Sequence, residues 1–152
     1  TCLASVFARD TDLLVLDEPG SSLDPLMRDR LCDRMREYLD DGDGKRSIIF
    51  STHNIADMEN AADYTVFMDR GKVIEQGFIE ELKEKYVIAR GDAENYDKAK
   101  SLLLSGNHNR TTFDGLALAE NAEKLAEIGV ESEIPTLQQL SIGLLKYAEE
   151  HR

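Results

Sequence analysis

Two textures of apolar and polar positions divide the chain. In the first, short continuous apolar runs alternate with amphipathic stretches. Leu3, Val6 and Phe7 recur at helical spacing and predict the tail of an amphipathic helix over residues 1–9. Leu13–Asp17 is an unbroken apolar run ending in an acid, the pattern of a strand buried on both faces. Asp24-Pro25 predicts a helix start, with Asp as N-cap and Pro at the first helical position. That helix is expected to bury Met27, Leu31, Met35, Tyr38 and Leu39 and to stop at the acidic turn Asp40–Gly44. Ser47–Ser51 predicts a second buried strand. Asn54 is then expected to cap a short helix with Ile55, Met58 and Ala62 inward.

Tyr64–Met68 and Lys72–Gln76 predict a hairpin, joined by Asp69-Arg70-Gly71 with Gly supplying the positive φ. The alternation of strands and helices to this point predicts an α/β doubly wound sheet with an antiparallel edge. After Gly77 the runs shorten. Helices are expected at Phe78–Lys85, Asn95–Leu104, Ala119–Ile128 and Thr136–Glu149, and strands at Tyr86–Ala89, Thr111–Phe113 and Val130–Ile134. The last helix carries Leu137, Leu140, Ser141, Leu144, Leu145 and Ala148 on one stripe. A boundary near residue 85 separates residues 1–85 from a small α/β appendage at 86–152, and no internal repeat is expected.

Composition narrows the class. With 41% hydrophobic and 32% charged residues, the 152-residue chain is globular in type. Its formal charge of −12 is spread over both halves, so a direct nucleic-acid partner is disfavoured: phosphate binding needs clustered Lys and Arg. Cys2 and Cys32 fall at apolar helical positions and are expected to be reduced, packed thiols.

Candidate chemistry begins at Asp17-Glu18, two adjacent carboxylates at the carboxyl end of a predicted strand, where open α/β sheets place their ligands. Nucleotide hydrolysis uses one carboxylate to hold Mg²⁺, usually through water, and another to orient the attacking water. His53, just past the second strand, is expected at the same sheet edge.

Leu13–Pro19 (LLVLDEP), Gly20–Pro25 (GSSLDP), Ile48–Asn54 (IIFSTHN) and Asp69–Gly77 (DRGKVIEQG), in this order and spacing, resemble the second half of an ABC transporter ATP-binding subunit. The resemblance covers residues 1 to about 85 and implies the C-terminal part of a P-loop NTPase sheet with flanking helices. It implies that Asp17 is the Walker B magnesium ligand, Glu18 the catalytic carboxylate and His53 the switch histidine. Ser22 and Asp24 are similar to the D-loop, which faces the partner subunit. ATP and Mg²⁺ would be the cofactors. A second ATPase subunit and transmembrane permease subunits would be the partners, at the cytoplasmic face of the membrane. No GxxxxGK[ST] loop or LSGGQ-like signature occurs in the sequence, so the chain is expected to be the C-terminal part of a longer subunit and inactive alone.

Glu80–Asp92 and Ile134–Leu140 resemble the C-terminal parts of ABC-2-type exporter ATPases, the lantibiotic and multidrug group, with Gln138-Gln139 in place of the usual acidic pair. An alternative is a non-transporting ABC-type mechanical or regulatory ATPase. The transporter-type hairpin Asp69–Gly77 and the acidic surface disfavour it. A further alternative is a non-catalytic dimerisation module.

Overall fold

The computed structural model describes residues 2–151, apart from the side chains of Cys2 and Asp57. The chain divides into two compact units between Ala62 and Asp63. The first contains α1 (Cys2–Phe7), β1 (Leu13–Asp17), α2 (Pro25–Asp40), β2 (Ser47–Ser51) and α3 (Ile55–Met58). Strands β1 and β2 run parallel, Leu13 opposite Ser47 and Asp17 opposite Ser51. A parallel pair needs a crossover, and α2 supplies it. Asp24 caps α2 as expected, its Oδ1 accepting the Met27 N–H at 2.9 Å.

Leu16, Leu31, Cys32, Met35 and Met58 form the core of this unit, with Leu3, Val6, Phe7, Ile48 and Phe50 packed around it. Cys32 is buried, its Sγ 3.9 Å from the Met58 sulfur. The packing expected of Cys2 lies outside the described residues. Tyr38 closes the end of α2: its hydroxyl donates to the Thr11 carbonyl, and the Arg46 guanidinium lies over its ring.

Three expectations need correction here. The strands are covered on one face only. Leu14 and Leu16 are buried, whereas Val15 is 71% exposed and Ile49 60% exposed, because the helices pack on the Leu16 side of a sheet that has only two strands in this unit. Met27 sits exposed in the first turn of α2, and core contact begins one turn later at Leu31, with Cys32 included and Leu39 only half-buried. Asn54 occupies the N-cap position of α3 without a side-chain cap bond; its backbone N–H donates to Thr52 Oγ1 instead.

The second unit opens with the antiparallel hairpin β3 (Tyr64–Asp69) and β4 (Lys72–Phe78). Both turn residues take positive φ, Arg70 at 48° and Gly71 at 78°, the handedness that matches strand twist. This hairpin is a two-stranded sheet of its own, grouped with the residues that follow it. The division at Ala62 therefore precedes the change of sequence texture placed near residue 85. Helix α4 (Ile79–Lys85) leads on to β5 (Tyr86–Asp92). Glu75 of β4 accepts bonds from both the Lys85 ammonium and the Tyr86 hydroxyl, tying the hairpin to the start of β5. Burial pushes the Glu75 carboxyl up, but the bonds from Lys85, Tyr86 and the Gln76 N–H, with the Lys85 charge, together outweigh it and lower the group from its ordinary value.

Beyond β5 come α5 (Tyr96–Ala99), β6 (Leu103–His108), β7 (Thr112–Leu118), α6 (Ala122–Glu127), β8 (Glu131–Glu133) and α7 (Leu137–Glu150). The sheet order is β6-β7-β5-β8 and every pairing is antiparallel. This is the split βαβ arrangement of ferredoxin-like folds. Ala89, Ala99, Phe113, Ala117, Leu125 and Val130 form one core cluster of this unit. On α7, Thr136 and Gln139 form a reciprocal capping box, which gives Gln139 a structural role. Gly143 presses α7 close to β7: a Cβ there would come within 2.7 Å of Leu116 Cβ. The Ser105 hydroxyl donates to the Gly143 carbonyl at 2.8 Å.

The helix expected over Asn95–Leu104 is shorter and irregular, and Leu103 already opens β6. On α7 the buried stripe is Leu137, Leu140, Ser141, Gly143 and Leu144, while Leu145 is exposed. A repeat is also present. Ala93-Glu94-Asn95 and Ala119-Glu120-Asn121 each form a 3₁₀ turn leading into a helix. Asn121 donates to the Leu102 carbonyl at 3.2 Å, and Asn95 lies beside Gly129, so each Asn meets the end of the other half's helical segment.

Candidate functional site

The parallel pairing of β1 and β2 brings Asp17 opposite Ser51, and the chain on both sides continues past the sheet edge together. Glu18 leaves β1 in the left-handed region, at φ 46°. A non-glycine residue there is strained by about 1–2 kcal/mol. Its N–H is held by a bifurcated bond to the Ser51 carbonyl and hydroxyl, both at 3.1 Å. The bend turns the Glu18 side chain toward the segment after β2, where Oε1 accepts the His53 N–H at 2.9 Å and lies 2.7 Å from His53 Nδ1. An Nδ1–H tautomer completes that second bond and leaves Nε2 for an external partner. The ring is 79% exposed and the carboxylate 32% exposed, so the dyad faces solvent.

Asp17 is exposed, and its Oδ1 accepts the hydroxyl proton of Ser51. Asp17, Ser51, Glu18 and His53 therefore form one hydrogen-bonded chain across the carboxyl ends of two parallel strands. Downstream, Ser21 N–H bonds back to the Glu18 carbonyl at 3.1 Å, and Arg28 Nε donates to the Gly20 carbonyl at 3.0 Å. These bonds shape the turn between β1 and α2.

The structure thus joins Asp17, Glu18 and His53. It does not join Ser22 or Asp24 to them: Ser22 is exposed in the turn, Asp24 is engaged as helix cap, and neither bonds to the other three among the described residues. Ser51 was not singled out from sequence. The parallel register, with Ser51 facing Asp17, is the signal that locates it.

Among the described residues no group of three or more His, Cys, Asp or Glu could hold a metal ion as a protein cage. Mg²⁺ needs none. It binds through one or two carboxylates together with substrate phosphates and retained water. The donor set of one exposed carboxylate, with the neighbouring hydroxyl ordering it, fits that mode. No described helix is long and apolar enough to cross a membrane.

A family model described as "AAA domain, putative AbiEii toxin, Type IV TA system" matches residues 2–58. The phosphate import ATP-binding protein PstB of Thermotoga maritima is 37% identical over 84 residues, 55% of this chain and 32% of the relative. ABC transporter A family member 10 of Dictyostelium discoideum is 35% identical over 109 residues, 72% of this chain and 12% of the relative. The energy-coupling factor transporter ATP-binding protein EcfA2 of Methanospirillum hungatei is 29% identical over 128 residues, 78% of this chain and 31% of the relative. The chain spans about a third or less of the length of these relatives. Its mixed helices and sheets are consistent with part of a P-loop NTPase domain.

Proposed function

From a chain that carries sequence of the ABC transporter ATP-binding protein family, we propose that the whole protein is the ATP-hydrolysing subunit of an ABC transporter. The observation that carries this reading is the Glu18–His53 dyad, 2.7 Å between Oε1 and Nδ1, set beside Asp17 at the carboxyl edge of a parallel strand pair. Glu18 orients and polarises the attacking water. His53 holds the Glu18 carboxylate through its backbone N–H and ring, and offers Nε2 toward the terminal phosphate. Asp17 would hold Mg²⁺, which when bound would supply neutralisation of charge developing on the phosphate oxygens. Ser22 and Asp24 stand in the turn that faces a second ATPase subunit, Asp24 also capping α2.

The working assembly in this proposal is two ATPase subunits on the cytoplasmic face of a pair of permease subunits. The exporter direction rests on the likeness of residues 80–92 and 134–140 to exporter ATPases. Relatives named for phosphate import share the family, and the dyad's chemistry is indifferent to direction. Residues 86–152 serve as an appendage without a second active site.

The test is magnesium-dependent phosphate release by the complete subunit, wild type against Glu18→Gln. Equal rates would overturn the reading. The match of residues 2–58 to an AAA domain named for a toxin system favours a second reading, a non-transporting ATPase. Co-purification with a multi-spanning permease distinguishes the two.

A further inference from the structure

We infer that Ser51 is a positioning residue for the hydrolytic site, setting both carboxylates with one hydroxyl; this rests on the ATPase reading above. The geometry is specific. The Ser51 O–H donates to Asp17 Oδ1, and the same oxygen accepts the Glu18 N–H at 3.1 Å. One oxygen therefore acts in both directions at once, as a hydroxyl can and a carboxylate or ammonium cannot.

Each bond has a separate consequence. The bond to Asp17 fixes which carboxylate oxygen is occupied, leaving Oδ2 to order the water shell of a divalent cation. The bond from Glu18 helps hold a backbone bend that is strained for a residue with a Cβ, at φ 46°. That bend is what delivers the Glu18 side chain to His53. Loss of the hydroxyl should reach the metal through Asp17 and the attacking water through Glu18. It should not disturb the nucleotide's own contacts.

Threonine is the informative replacement. It keeps the hydroxyl, suits a strand position, and adds its methyl at an exposed site. Alanine removes the hydroxyl and leaves the backbone pairing with Glu18 intact. Hydrogen-bond partners of metal ligands typically change metal affinity or activity by ~10–100-fold when removed.

The experiment uses the complete subunit with Mn²⁺ as a spectroscopic substitute for Mg²⁺. It measures Mn²⁺ retention in the ATP complex by electron paramagnetic resonance, alongside kcat and the affinity for metal-free ATP. Ser51→Ala is expected to lower Mn²⁺ affinity and kcat by ~10-fold or more, with affinity for metal-free ATP within about twofold and an unchanged melting temperature. Ser51→Thr is expected to restore both. Wild-type Mn²⁺ retention in Ser51→Ala, or failure of Ser51→Thr to restore it, overturns the assignment. A wild-type subunit that retains Mn²⁺–ATP without turnover overturns the ATPase reading, while the comparison of Mn²⁺ retention still decides the role of Ser51.

Discussion

His53 Nδ1 lies 2.7 Å from Glu18 Oε1 although 35 residues separate them in sequence. Only the parallel register of β1 and β2, together with the left-handed turn at Glu18, brings them together. In the complete subunit, Glu18→Gln should lower ATP turnover by ~10²–10⁴-fold, the usual worth of a positioned general base. ATP binding should survive, so an ATP-bound dimer should accumulate. His53→Ala should lower turnover strongly with little change in nucleotide affinity. Phosphate release and equilibrium binding of a fluorescent ATP analogue measure the two effects separately.

The 152-residue chain by itself should show no ATP turnover above background. Its sequence holds no glycine-rich Lys-Ser/Thr loop to fix the phosphates, and an unpositioned γ-phosphate gives the Glu18–His53 dyad nothing to act on. Magnesium-dependent phosphate release by the purified chain, abolished by Glu18→Gln, is the contrary result.

Asp24→Ala should destabilise the chain by ~1 kcal/mol through loss of the α2 cap. The bond removed is that from the Met27 N–H to Oδ1. Asp24→Asn or Asp24→Ser should recover most of it, and urea denaturation is the measurement. If Asn recovers stability but not dimer-dependent turnover, the turn residue has a role beyond capping.

Gly143→Ala places two effects in opposition. Alanine favours a helix by about 1 kcal/mol over glycine. Here, however, its Cβ would meet Leu116 Cβ at 2.7 Å, and the Ser105 bond to the Gly143 carbonyl keeps the helix from backing away. Overpacking costs of about 1–3 kcal/mol should win, giving a lower melting temperature. A stabilised variant would mean that α7 is free to shift.

Glu75 should make part of the stability pH-dependent. Its folded-state pKa is lowered from 4.5, so its contribution is fully present above that value and is lost as pH falls through the lowered one. Wild type should therefore exceed Glu75→Gln in stability at neutral pH, and the difference should vanish in acid. Paired denaturation curves between pH 7 and pH 3 would show it, and a difference constant across that range would exclude the clamp.

The site was legible where local chemistry repeats a pattern. A run of apolar residues ending in Asp17-Glu18 and a second strand followed by His53 were enough to place three groups at one sheet edge. Ser51 was not legible, since serine at a strand end has many uses and only register shows it opposite Asp17. Strand β6 was missed for a different reason. Ser105-Gly106-Asn107 has weak β propensity, and the strand approaches β7 closely where Gly115 stands: a Cβ on Gly115 would meet the Ser105 carbonyl oxygen at 2.6 Å. The exposed face of β1 was misjudged because an apolar run reports what a residue prefers, while Val15 and Ile49 show what lies beside it in this unit. Likewise the AEN repeat is three residues long, too short to stand out until both copies begin matching helices.

The split βαβ sheet has a consequence for how its chain is threaded. Glu133, the last residue of β8, pairs with Ile88, two positions from the first residue of β5. The sheet's entry and exit strands are thus side by side and antiparallel, and a tight reverse turn would join Glu133 to Tyr86. The order of strands in space does not depend on where the backbone is opened. Cut between His108 and Thr112 and closed at the other end, residues 86–133 would become a circular permutant with β7-α6-β8 leading and β5-α5-β6 following. The two halves that carry the AEN turns would then have exchanged places in the gene while each Asn kept its neighbour in space. In this sense residues 86–133 form a closed ring of structure, opened in this chain between α4 and α7.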